Sequence, residues 1–272
     1  MTMQIWSNTK TLDDYVPEIQ FTGDKDSAEV ALVGGKPIDL REFPRLRGIF
    51  KTGVGRDNVP EREARTRGIR CEFPSASTAA IVYEETANFA CHLILKCLYA
   101  EIGDFASWTK LDRPSLSSRE VLIIGTGNIG GRVTNKMKAF AKISTFDLVS
   151  NRPAELEPLM RRADGVSLHI PLTENTRGFI DAQKLAWMKD GSALINTARA
   201  AIVSEDALFA ELDSGRLRAA FDVFWQEPYK GRLMQLSPER FLVSPHVAST
   251  CREFIAATAN DFRTFLNTLE MP

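Results

Sequence analysis

Along most of this chain, short apolar runs alternate with longer segments of helical period. Val30-Ala31-Leu32-Val33 is one such run, closed by two glycines. It reads as a strand, as do Gln4–Trp6 and Ile49–Phe50 in the same third of the chain. From Val121 the alternation becomes regular, with strands expected at Val121–Ile124, Ile143–Phe146, Gly165–His169, Ala193–Asn196, Ala219–Phe221 and Phe241–Val243. Apolar runs without polar alternation suit strands of a parallel sheet, which helices cover on both faces. A helix is expected from Ala80 to Tyr99, where Val82, Phe89, Leu93 and Cys97 share one face. Others are expected over Ile129–Phe140, over 205–214 and from Arg252 to Leu269. Ser204 suits the cap of the 205–214 helix, with Glu205 and Asp206 in its positive first turn and Gly215 beyond its end.

This alternation predicts an α/β protein with parallel sheets. The last helix follows every strand, so residues 81–249 are expected to form one domain and residues 1–80 with 250–272 the other. A length of 272 residues allows two modest domains. There is no internal repeat or low-complexity segment. Lys and Arg total 34 against 35 Asp and Glu, which leaves no long-range field for nucleic acid or an anionic membrane. No apolar run approaches the ~18 residues of a membrane span, and MTMQIWSNTK lacks a basic-then-apolar signal. A cytoplasmic protein is expected. Four cysteines without a CxxC and only three histidines argue against a metal site, and the thiols are expected to be buried and reduced.

Gly125-Thr126-Gly127-Asn128-Ile129-Gly130 spells GxGxxG between an expected strand and an expected helix. In that setting the glycines let the backbone turn tightly beneath a pyrophosphate, whose charge meets free N–H groups at the helix start. Asp147 ends the next strand, where a carboxylate can accept the ribose hydroxyls. The same charge repels a 2′-phosphate and favours NAD over NADP, with Arg152 the nearby cation that could offset it.

INTARA (195–200), FDVFWQEP (221–228) and VSPHVAST (243–250) each contain one residue able to do chemistry. Taken alone, Arg199 reads as a surface cation, Glu227 as a solvated turn acid and His246 as a loop histidine. Each, however, lies near the end of an expected strand, where open α/β sheets collect their ligands. With GVGRDNV (53–59), VYEET (82–86), GTGNIG (125–130) and LHIPLTENT (168–176) in the same order, the chain resembles the D-2-hydroxyacid dehydrogenase family, which includes phosphoglycerate dehydrogenase.

The resemblance implies an NAD-dependent oxidoreductase of a D-2-hydroxy acid and a 2-oxo acid, built from two Rossmann/flavodoxin-like domains with the active site in the cleft between them. His246 would be the acid/base, with Glu227 hydrogen-bonding its imidazole and fixing the tautomer. Arg199 would clamp the substrate carboxylate, and the Gly53-Val54-Gly55 backbone would offer it further N–H groups. Asp222 would orient the nicotinamide amide, while His169, Pro171, Thr176 and Thr197 would line the cofactor cleft. A homodimer through the cofactor domain is also implied, to which the apolar face of the 80–99 helix could contribute. Two rivals remain: a phosphite dehydrogenase-like enzyme, and a non-catalytic NAD-sensing module like the corepressors of this fold. Formate is disfavoured, because formate dehydrogenases of the superfamily carry glutamine where Glu227 stands.

The chain departs from the family's pattern in five places. Ala200 replaces the usual glycine after Arg199, a strained choice if that position needs positive φ. Asn128 stands for the usual arginine of the glycine loop. The stretch 75–84 is one residue longer than usual, and the segments before Val121 and between Asp147 and Asp164 are short. Of the remaining candidates, His92 in FACHLIL is expected to be a packed core histidine. Lys51 reads equally as a partner for an anionic substrate tail and as a solvated lysine, and EREARTRGIR (61–70) reads as an exposed helix face.

Overall fold

The computed structural model describes residues 3–270. Residues up to Val82, with those from Thr250 onward, form one compact unit, and Tyr83–Ser249 form the other.

The first unit is built on five strands: β1 (Ile5–Ser7), β2 (Phe21–Thr22), β3 (Val30–Val33), β4 (Gly48–Lys51) and β5 (Arg70–Glu72). All neighbours are parallel, in the order β2-β1-β3-β4-β5, the flavodoxin-like arrangement. Every residue of β3 and β4 is buried, as strands covered on both faces require. On one face Ala31, Val33 and Ile49 pack with Leu40, Phe43 and Ala64, the last from α1 (Glu61–Thr66). Two short strands were not expected. The expected helix of 61–70 ends at Thr66, because Gly68 at φ +72° stops it and buried Ile69 turns the chain into the strand Arg70–Glu72.

Helix α2 (Ala76–Leu98) begins a turn before the expected Ala80. Ser75 caps it by accepting the Thr78 N–H at 3.4 Å, which starts the helix ahead of its apolar run. Val82 and Leu93 are buried as expected, whereas Phe89 and Cys97 are half-buried. His92 is not a core histidine: Cys91, Leu93 and Ile94 are buried while His92 is exposed beside Phe89, ring centroids 5.9 Å apart. An apolar stretch without polar breaks does not tell which residue faces out.

The second unit opens with an unexpected hairpin, β6 (Gly103–Asp104) and β7 (Thr109–Lys110). Its sheet comprises β8 (Glu120–Ile124), β9 (Lys142–Phe146), β10 (Gly165–Leu168), β11 (Ala193–Asn196), β12 (Arg218–Phe221) and β13 (Phe241–Val243). The order is β13-β12-β11-β10-β8-β9, all parallel. The six-stranded dinucleotide order 3-2-1-4-5-6 would place one more strand outside β9. The short segment after Asp147 instead holds a 3-10 turn and α4 (Leu156–Arg162), so β9 is the sheet's edge.

Successive residues of β8 face opposite cores. Val121 and Ile123 pack with Ala87, Cys91 and Ile94 of α2 and with Val133 and Met137 of α3 (Gly130–Met137). Leu122 and Ile124 face Met160 of α4, Leu185 of α5 (Ala182–Trp187) and Leu208 of α6 (Glu205–Asp213). Ser204 accepts the Ala207 N–H at the start of α6, and Gly215 follows it at φ +77°. Of the four thiols, all free, Cys91 is buried in the core beneath α2 and the other three are half-buried. No described helix is long and apolar enough to cross a membrane, and the described residues hold no cluster of metal-ligating side chains.

The final helix α7 (Arg252–Glu270) belongs to the first unit. Phe262 and Phe265 set their rings 5.2 and 5.7 Å from that of Phe50 in β4. Phe262→Ala therefore opens a cavity at a fully buried position and is expected to cost about 3–5 kcal/mol. Urea denaturation of the variant against wild type measures it.

Candidate functional site

In the second unit one register row ties all the strand ends together. Phe146, Ile124, Leu168, Asn196, Phe221 and Val243 are paired neighbour to neighbour across the sheet. The residue after each is Asp147, Gly125, His169, Thr197, Asp222 and Ser244 respectively. Parallel pairing thus delivers these side chains to one edge of the sheet.

The glycine loop is shaped as a dinucleotide requires. Gly125 has φ +93°, and a Cβ there would lie 2.6 Å from the His169 carbonyl oxygen. A Cβ on Gly130 would lie 1.8 Å from Gly125 O, so the loop closes on itself only with hydrogen at both positions. A Cβ on Gly127 would meet nothing within 4 Å, which leaves the space in front of the loop open. Thr126, Gly127 and Asn128 are exposed, Ile129 is half-buried, and no side chain caps the start of α3. With no side chain across it, this helix start is open to an anion, which its positive end attracts. Thr197 Oγ1 is buried with no protein partner, an orphan donor of the kind a ligand satisfies. These residues fit NAD.

Asp147 is half-buried and lies next to the loop. Its Oδ2 accepts the Thr126 N–H at 2.8 Å and hydroxyl at 2.9 Å, and Oδ1 accepts the Val149 N–H at 3.0 Å. Those bonds, the Thr126 N–H first, hold its carboxyl below the usual range. Arg152 does not offset the charge. It is engaged by Glu155 at 2.9 Å with most of its side chain in solvent. Thr176 is buried, donating to Pro171 O at 2.6 Å and accepting the Thr173 N–H at 2.7 Å, so it ties the loop on which Pro171 is exposed.

His246 and Glu227 meet directly. Nδ1 of His246 lies 2.9 and 3.0 Å from the two carboxylate oxygens. Burial alone would raise the Glu227 carboxyl, but the His246 hydrogen bond and charge, the Phe224 N–H and the Arg199 charge together hold it low. Glu227 is presented by an anchored segment: Trp225 donates its indole N–H to Val203 O at 3.0 Å, and the Phe224 and Tyr229 rings stack at 5.2 Å. Arg199 is half-buried and donates to Ala198 O at 2.8 Å. Ala200 is no obstacle, because it opens a 3-10 turn and is not among the residues with positive φ.

Three polar residues escaped the sequence reading. Asn196 accepts the Ala198 N–H and donates to Arg199 O, both at 2.9 Å, which shapes the turn carrying the arginine. An asparagine at a strand end two residues before a turn is the usual signal of such a bond. Ser244 donates to Asp222, and Ser167 pairs with His169 Nε2 at 2.9 Å.

In the first unit, the bend Gly53-Val54-Gly55 follows β4 and is half-buried. Lys51 is not a solvated lysine. It is 6% exposed, and its Nζ donates to Gly34 O at 2.9 Å, 3.5 Å from where a Gly53 Cβ would be.

Burial pushes the His169 imidazole down to about 4. The ring is therefore neutral across the working range, consistent with a lining role rather than a proton carrier. Since the unfolded state binds that proton near pH ~6.5, the neutral ring's stabilising contribution is complete above ~6.5 and is lost as pH falls toward 4. The His169 ring protons, followed by NMR, are expected to titrate near 4.

The sequence model of the "D-isomer specific 2-hydroxyacid dehydrogenase, NAD binding domain" matches residues 101–248. Hydroxypyruvate reductase of Thermotoga maritima is 34% identical over 226 residues, covering 76% of this chain and 72% of that protein. Glyoxylate reductase of Korarchaeum cryptofilum is 32% identical over 245 residues, covering 80% and 72%. Among solved structures, D-lactate dehydrogenase from Aquifex aeolicus, complexed with NAD and lactic acid, superposes with a TM-score of 0.82 over 97% of this chain and 94% of that one, at 21% identity. With a family match across more than half its length and a nucleotide loop of the required shape, this chain belongs to the D-2-hydroxyacid dehydrogenases and is an NAD-dependent enzyme.

Proposed function

We propose that the enzyme interconverts a small D-2-hydroxy acid and its 2-oxo acid, with His246 as the proton carrier. The observation that carries this reading is the His246–Glu227 pair. Nδ1 is engaged by the carboxylate at 2.9 Å, and among the described residues Nε2 has no protein partner. The free nitrogen is thus the one at which a proton is exchanged. The cofactor, when bound, would supply a hydride as NADH in reduction and accept one as NAD+ in oxidation. In reduction, His246 gives its Nε2 proton to the carbonyl oxygen while Glu227 stabilises the imidazole through Nδ1; in oxidation the proton returns to the same nitrogen.

Arg199 is the carboxylate clamp in this reading, since a planar guanidinium offers two parallel donors where an ammonium offers one point of charge. Asn196 supports that role by fixing the turn from which the side chain projects. Gly53-Val54-Gly55 is read as a carboxylate-binding bend of the first unit. Small substrates are favoured because two sequence relatives are named for hydroxypyruvate and glyoxylate. A second copy of the chain is the partner proposed for the hairpin region, which leaves Ile102, Phe105 and Trp108 largely exposed. The four free thiols accord with the reducing conditions of the cytoplasm.

NADH oxidation with glyoxylate, hydroxypyruvate, pyruvate, 2-oxoglutarate and phosphohydroxypyruvate tests the proposal. A clear rate is expected with one of the small acids, and His246→Ala is expected to lower that turnover by at least ~100-fold with NADH binding retained. Near-normal turnover in the variant would remove His246 from the role. Silence across the panel from a protein that binds NADH would favour an NAD-sensing module.

A further inference from the structure

Asp222, which by resemblance would orient the nicotinamide amide, also has surroundings that give it a second task. The residue is fully buried, at 0% exposure. Oδ1 accepts the Ser244 hydroxyl at 2.5 Å and the Val247 N–H at 2.9 Å, and Oδ2 accepts the Ala248 N–H at 2.9 Å. All three donors belong to the loop that carries His246, and they flank the histidine on both sides. The base of the clamp is fixed as well, because the Asp222 N–H donates to Asn196 O at 3.0 Å and the Ser244 N–H to Phe221 O at 3.1 Å.

The loop needs such a clamp. His246 has φ +55° and is, with Trp108, one of two described non-glycine residues in the left-handed region. That conformation persists in an L-residue only where its surroundings over-determine it. A carboxylate suits the task better than its amide, since both oxygens accept a backbone N–H from the loop. Asparagine has a single acceptor oxygen and would turn its NH2 toward one of those donors.

We propose that Asp222 is the positioning residue for His246, its carboxylate pinning the Ser244–Ala248 loop so that the imidazole is held in the left-handed conformation that meets Glu227. The functional part of this inference rests on His246 being the proton carrier; the clamp itself does not.

The test uses Asp222→Asn and the milder Ser244→Ala, which removes one donor and keeps the carboxylate. For Asp222→Asn, turnover at saturating NADH is expected to fall by ~100-fold, with the KM for the 2-oxo acid and the NADH affinity little changed. Amide hydrogen exchange at Val247 and Ala248 is expected to accelerate about tenfold or more, while exchange in β10 stays as in wild type. Ser244→Ala should shift the same two readouts in the same direction by less, which keeps the test open if Asp222→Asn folds poorly. Wild-type exchange at Val247 and Ala248 in both variants would overturn the clamp. So would weakened NADH binding with turnover retained at saturation, which would mark the carboxylate as a cofactor contact. Exchange does not depend on activity, so a failure of the proton-carrier reading appears separately, as an active His246→Ala enzyme.

Discussion

The alignment of six parallel strand ends in one register row is the constraint on which the second unit's site depends. Pairing runs unbroken from Phe146 through Ile124, Leu168, Asn196 and Phe221 to Val243. A one-residue slip in any strand would turn its next side chain to the opposite face. In this register Asp147, Gly125, His169, Thr197, Asp222 and Ser244 all emerge together. The row also divides the labour: the β8 and β9 ends shape the nucleotide loop, and the β11, β12 and β13 ends shape the turns that carry Arg199, Glu227 and His246. Asn196 and Asp222 join the last three. The Asp222 N–H bonds the Asn196 carbonyl, one side chain fixes the Arg199 turn, and the other fixes the His246 loop.

Charge is distributed along this row according to local bonding rather than overall balance. Asp147 is held anionic by N–H and hydroxyl donors, and Glu227 by its partners in spite of burial. His169 is kept neutral by burial, with Ser167 satisfying its inner nitrogen. The two histidines, one after β10 and one after β13, thus sit in different surroundings. His246 is paired with a carboxylate, while His169 is desolvated and stays uncharged near neutral pH. The lowered Glu227 carboxyl contributes stability that is present above the ordinary carboxylate range and is lost as pH falls through its lowered range.

Most of the framework was legible because buried parallel strands carry a simple signal. Val30–Val33, Ala193–Asn196 and Phe241–Val243 were read with their observed ends. Phe21–Thr22 is only two residues long, and Arg70–Glu72 sets one cysteine between two charged residues, so neither shows an apolar run. The orientation of His92 depends on which helix face meets the sheet, and FACHLIL is apolar on every side. The burial of Lys51 depends on the Gly34 carbonyl, which comes from a different strand end. Within the site, the motifs marked residues but not the bonds among them. That Asp222 holds the His246 loop depends on where two backbone N–H groups point, and no spacing in the sequence encodes that.

The central claim is that this row of strand ends performs hydride and proton transfer on a 2-oxo acid. Deuterium transfer tests it most directly: the enzyme is supplied with NADH deuterated at C4 and a 2-oxo acid, and the product is examined by NMR. The account predicts a 2-hydroxy acid of D configuration with deuterium bound at C2. Recovery of unlabelled 2-oxo acid from a protein with NADH bound, or deuterium found elsewhere in the product, would contradict it.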